Sequence, residues 1–169
     1  SGACAALGVF PAVCELDLPL ELHVVVGAAE NMPGGGAFRP DDILRAYNGK
    51  TIEVDNTDAE GRLTLADALA YAGEQHPDRL VDLATLTGAC VVALGENTAG
   101  LFSPDDALAE ALAEASRASG ERLWRLPMDD ERLKKQLKSP VADLVNCGSR
   151  WGGAITAALF LEAFVPPGT

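Results

Sequence analysis

Two carboxylates, Asp58 and Glu60, stand two residues apart in the run Asn56-Thr57-Asp58-Ala59-Glu60-Gly61-Arg62-Leu63, with a guanidinium two residues further on. In an extended or turning segment, side chains at i and i+2 project to one side, so both carboxylates can be aimed at one point. Such a point is strongly negative unless a cation fills it. Arg62 supplies one positive charge, and a hard divalent ion held by carboxylate oxygens is the other way to neutralise the pair. The same residues also suit a plain helix start: Asp58 could cap it, while Glu60 could face the helix dipole or pair with Arg62. Spacing alone leaves both readings open.

The elements around this run are what would position it. Residues 51–56 read as a buried strand, and residues 62–75 as a helix with Leu63, Ala66, Leu69 and Ala70 on one face. The apolar, β-branched run 20–31 predicts a strand covered on both faces, and residues 79–87 a further strand. A short strand is expected near residues 98–102. Residues 2–16 have helical spacing that Pro11 should kink or restart, and residues 42–47 read as a short helix halted by Asn48-Gly49. Ser103 should cap a helix whose first residue is Pro104 and which Gly120 closes. Arg132 to Lys138 read as the basic end of a helix, and residues 152–165 as an apolar helix ended by Pro166-Pro167. The alternation predicts an α/β domain, three-layer α/β/α with a mostly parallel or mixed central sheet. Ligands of such sheets gather beyond the carboxyl ends of the strands, which is where residues 56–63 and 84–89 fall.

The chain has 169 residues, with 13 Lys and Arg against 25 Asp and Glu, a net charge of −12. That balance argues against nucleic acid as a partner, since phosphate binding rests on clustered cations. No apolar run reaches the roughly 18 residues of a membrane span. The four cysteines, Cys4, Cys14, Cys90 and Cys147, form no C-x-x-C pair and lie among small or apolar neighbours. They read as buried, reduced thiols of a cytoplasmic protein. Pro33 to Gly36 has no phosphate-loop spacing. His23 and His76 form no ligand-like pair, and His23 reads as a strand residue. No G-x-S-x-G elbow supports a serine hydrolase, and Trp124 and Trp151 read as packing or interface aromatics.

The eight-residue run at 56–63 resembles the signature of the leucyl aminopeptidase family, metal-dependent peptidases of the M17 type. Glu30 to Gly35, the stretch from Arg39 into the signature, Asp82 to Gly95 and Gly152 to Leu161 are similar to that family's catalytic domain, in the family's order. The resemblance implies two divalent ions per site, manganese or zinc with magnesium as a third candidate, with Asp58 and Glu60 as ligands and Glu60 bridging. It implies that Arg62 helps hold a bicarbonate and steadies developing negative charge. It places Asn56, Ala59, Thr85, Leu86 and Gly88 against the peptide substrate or the bridging water. The implied activity is release of N-terminal residues from peptides with a free N-terminus, in a cytoplasmic homo-oligomer, a hexamer in relatives.

By the same resemblance, residues 1–169 are expected to be part of a C-terminal catalytic domain. The family's N-terminal domain, its first catalytic segments with a Lys and two Asp ligands, and its last C-terminal segment are expected to lie outside them. A chain with two of the metal ligands should have little activity by itself. The rival reading is a non-catalytic assembly or binding module built on the same fold.

Overall fold

The computed structural model describes residues 2–169. Its helices are α1 (Gly2–Glu15), α2 (Glu60–Gly73), α3 (Gly88–Leu94), α4 (Asp106–Ser119), α5 (Glu131–Lys135) and α6 (Gly153–Glu162). Its strands are β1 (Ile43–Arg45), β2 (Thr51–Glu53), β3 (Ala99–Leu101), β4 (Leu123–Arg125) and β5 (Leu144–Val145). The class is α/β with mixed and parallel pairing, as expected, in two small sheets. In one, β2 pairs antiparallel with β1 and parallel with β5; in the other, β3 pairs parallel with β4.

The core lies between α2, α6 and the β2 sheet. Arg62, Ala66, Leu69, Ala70 and Gly73 are the buried positions of α2, spaced three and four apart so that they share one face. Helix α6 is apolar on all sides, and Ala154, Thr156, Ala157, Leu159, Phe160 and Leu161 are all buried, as such a helix requires. Phe160, with no exposed surface, packs its ring 5.2 Å from that of Phe164 and joins Ile52, Leu69 and Leu137. Gly73 admits the Pro166 ring at a distance no side chain would allow.

Several expectations are corrected. Residues 42–47 contain β1 rather than a helix, because Asn48-Gly49 turns the chain back and lets Leu44 pair with Ile52; Gly49 takes φ +88°, a conformation glycine adopts without strain. Residues 20–31 and 79–87 are not strands, since neither segment has a ladder partner among the described residues. His23 is therefore no strand residue; its Nε2 lies 2.9 Å from Glu21. Gly27 instead rests against the Thr64 side chain on α2. Helix α1 runs through Pro11 without a break and buries none of its residues. Helix α4 is capped by Asp105, whose carboxylate accepts from the Ala107 and Leu108 N–H groups at 2.8 and 3.2 Å. Ser103 sits two residues earlier and accepts from the Asp105 N–H, so Pro104 stays outside the helix. Gly120 closes that helix at φ +82°, as expected. The cysteines are not buried: Cys4 and Cys14 are exposed, Cys90 and Cys147 half-buried. Trp124 and Trp151 are exposed, so of their two expected roles packing within this chain is not adopted, while the interface role is not contradicted.

Strand β5 is tied to β2 by Asp143, which accepts from the Thr51 N–H and hydroxyl, each at 2.8 Å. The Thr51 backbone N–H, then its hydroxyl, and then Lys50 and Arg45 hold the Asp143 carboxyl below its ordinary range. A depressed folded pKa contributes stability that is present above the unfolded value of about 3.9 and lost as pH falls through the folded value. The advantage of the native protein over Asp143→Asn in thermal midpoint is therefore expected at neutral pH and should shrink as pH falls below the unfolded value and through the folded one. An advantage independent of pH would remove the carboxylate's charge from this account.

Candidate functional site

Strand β2 ends at Glu53, and the chain passes through Asp55 and Asn56 into a single 3-10 turn, Thr57–Ala59, that leads directly into α2. The cap of that turn is Asn56, whose side-chain oxygen accepts from the Asp58 N–H at 2.9 Å. Asp58 is therefore not the cap. Its carboxylate is exposed, and it makes no hydrogen bond or ion pair with any other described residue. Glu60 is the first residue of α2, where a negative charge meets the positive end of the helix dipole. It is half-buried and, among the described residues, forms no ion pair with Arg62. Of the ordinary uses of these carboxylates, capping by Asp58 and pairing of Glu60 with Arg62 are not adopted, while Glu60 does face the helix dipole.

Arg62, one α-helical position beyond Gly61, faces inward and is only 7% exposed. One guanidinium N–H donates to the Asn146 carbonyl at 2.9 Å, while Nε is buried with no partner. Burial pulls its pKa below the ordinary arginine value, opposed by Cys147 and Glu60 nearby. A buried cation with an unmade hydrogen bond costs stability, a cost that a partner for Nε would offset. The orphaned donor fits a small anion such as bicarbonate in kind.

The segment 84–88 is brought to the signature although it is not a strand. Leu86 lies against Gly61, with its Cδ1 3.6 Å from where a Cβ on that glycine would stand. Thr85 accepts from the Gly2 N–H at 3.3 Å, and Gly88 opens α3, capped by Thr87. Glu60, Gly61, Thr85 and Leu86 share the wall of a cavity of about 1020 Å³. Asn56, Asp58, Ala59, Arg62 and Gly88 do not line it. Ala59 is buried under the turn.

Asn146 was not singled out by its sequence setting, though a lone Asn closing the apolar run Leu144-Val145 is a polar group that must be satisfied if buried. It is wholly buried and bonded to both sides of the signature.

Among the described residues, no three His, Cys, Asp or Glu side chains come together as a metal-binding group. Asp58 and Glu60 fit a hard divalent ion in the kind of donor they offer and fall short of a complete set in number. No helix among the described residues is long and apolar enough to cross a membrane.

Three comparisons bear on this arrangement. The chain is 60% identical over 168 residues to a probable cytosol aminopeptidase of Aquifex aeolicus, covering 99% of this chain and 34% of that protein. It is 57% identical over 165 residues to leucine aminopeptidase 1 of Arabidopsis thaliana, covering 97% and 32%. The solved structure of a tomato leucine aminopeptidase mutant superposes with a TM-score of 0.96 at 54% identity, over 99% of this chain and 33% of that one. The chain thus spans about a third of the length of the curated relatives it matches. Residues 1–169 match throughout the family described as "Cytosol aminopeptidase family, catalytic domain", and the chain belongs to that family.

Proposed function

We propose that this chain is part of the catalytic domain of a metallo-aminopeptidase that releases N-terminal residues from peptides with a free N-terminus. The observation that carries the reading is Arg62: a guanidinium buried beside Glu60, inside the signature, with an unused donor. In this reading Asp58 and Glu60 would hold divalent ions, two per site, manganese or zinc with magnesium as the third candidate. The remaining donors come from polypeptide outside these 169 residues, so the chain alone has little activity. When bound, such ions supply Lewis acidity toward a carbonyl and lower the pKa of a shared water.

The chain's own residues do the rest. Arg62 offers fixed positive charge in a dry setting, where it stabilises negative charge developing on the substrate without reorganising, and its free Nε–H suits a bicarbonate. Thr85 and Leu86, on the cavity wall with Glu60, and Asn56, Ala59 and Gly88, which do not line that cavity, contact the peptide or the water at the site through backbone or side chain. The protein is cytoplasmic and works as a homo-oligomer, a hexamer, with neither membrane nor nucleic acid as a partner.

The test uses the protein expressed from its full reading frame, chelated and then assayed on a peptide with a free N-terminus and on its N-acetylated form. Release from the free peptide alone, restored by manganese or zinc, is expected. Release that survives chelation, or that is equal on both peptides, would overturn the reading. The small donor set found among the described residues favours one alternative, a non-catalytic assembly or binding module, for which no turnover appears under any metal.

A further inference from the structure

We infer that Asn146 is a positioning residue for the reaction proposed above: it locks the turn carrying Asp58 and Glu60 and the Arg62 guanidinium into one rigid unit. The inference rests on that reading of the site.

Asn146 follows directly on β5 and has no exposed surface. Its backbone N–H donates to the Glu53 carbonyl at 2.9 Å, continuing the parallel ladder one step past the end of β5. Beyond that step the signature has left the sheet, and the Asp55 and Asn56 N–H groups no longer face a strand. The Asn146 side-chain oxygen accepts from both, at 2.9 and 3.2 Å, and its amide N–H donates back to the Asn56 carbonyl at 2.8 Å. The side chain thus replaces a missing piece of strand at the point where the chain turns toward Asp58. On its other side, the Asn146 carbonyl accepts from Arg62 at 2.9 Å, the one hydrogen bond that guanidinium makes to a described residue.

Asn56, Asp58 and Glu60 lie on one continuous turn, and Arg62 on the first turn of the helix that follows. A single buried residue therefore sets both the origin of the carboxylate-bearing turn and the place of the cation. Neither function is shared by a neighbour: Asn146 has no exposed surface, and no other described side chain donates to or accepts from the Asp55 and Asn56 backbone there. Asn146 does not line the large cavity, so its influence on substrate is indirect. Supporting groups of this kind typically change ligand affinity or rate by about 10–100-fold when removed.

The experiment compares wild type with Asn146→Asp and Asn146→Ser in the protein from its full reading frame. The first keeps the acceptor oxygen but sets a second oxygen against the Asn56 carbonyl; the second withdraws both. Three quantities are read on the folded fraction: kcat and KM for L-leucinamide, and the Kd for Mn2+ by titration calorimetry. A role in positioning lowers kcat by about 10–100-fold, leaves KM within about threefold, and weakens Mn2+ binding by about tenfold or more. A role confined to stability lowers the thermal midpoint while kcat and the Mn2+ Kd stay within about twofold of wild type, and that result overturns the inference. Where one variant does not fold, the other decides by the same criteria. If the wild type binds Mn2+ but turns over no amide, the aminopeptidase reading fails by itself, and the Mn2+ Kd alone decides the role of Asn146: weakened in the variants it stands, unchanged it falls.

Discussion

Glu60→Gln is expected to lower turnover of amino-acid amides by well over a hundredfold and to leave the fold intact. The substitution keeps the shape of the side chain and removes its charge. Among the described residues Glu60 makes no hydrogen bond and no ion pair through its carboxylate, so no partner is left unsatisfied by the change. What the fold loses is a favourable charge in the first turn of α2, worth about 0.3–1 kcal/mol. What the proposed centre loses is an anionic oxygen donor, replaced by a neutral amide of much lower affinity for a hard cation. Changing a supporting group next to a metal costs about 10–100-fold, and a ligand itself costs more. Steady-state kcat on L-leucinamide, read together with the thermal midpoint, separates the two effects. Retained turnover in a folded variant would show that another residue holds this role.

Arg62→Met is the second large effect, and its signature is the opposite behaviour of rate and stability. Arg62 is 7% exposed, makes a single hydrogen bond to a described residue, leaves Nε without a partner and has no carboxylate at ion-pair distance among the described residues. Methionine reproduces the arginine stem as far as Nε and has no charge to desolvate, and apolar replacement of a poorly compensated buried cation is often neutral or stabilising. Against this, the Asn146 carbonyl loses its Arg62 donor, at a cost of about 1–3 kcal/mol. These terms oppose each other, so stability is expected to change by no more than about 2 kcal/mol. The rate should fall by about 10²–10³-fold, the usual consequence of removing one fixed donor aimed at developing negative charge. A variant that loses several kcal/mol of stability but keeps its kcat would make Arg62 a structural residue.

The readability of these features from sequence follows a physical line. Helix α2 is legible because its packing is written in its own residues at intervals of three and four, with Ala66, Leu69 and Ala70 buried as their spacing demands; α6 is legible from its unbroken apolar run and α4 from the Gly120 that closes it. Strands depend on a partner that the segment itself does not name. Residues 43–45 look helical by composition and are a strand because the turn at Asn48-Gly49 delivers Thr51–Glu53 alongside them. Residues 20–31 look like a buried strand and are not one, because no described segment pairs with them. At the site, the carboxylates and Arg62 were legible from one uninterrupted run. Asn146 was not, because it comes to the Asp55–Asn56 turn from about ninety residues away through the β2–β5 pairing. Cysteine burial was misread from apolar neighbours, which report composition and not where the surface lies.

The central claim is that Asp58 and Glu60, freed from capping and pairing, are metal ligands. The most direct measurement is the manganese content of the protein from its full reading frame, after equilibration with Mn2+ and removal of free ion, for wild type and for the double variant Asp58→Asn/Glu60→Gln. Two ions per chain in the wild type, falling below one in a double variant that keeps its fold, is the expected result. Two ions retained by the folded double variant would contradict the account.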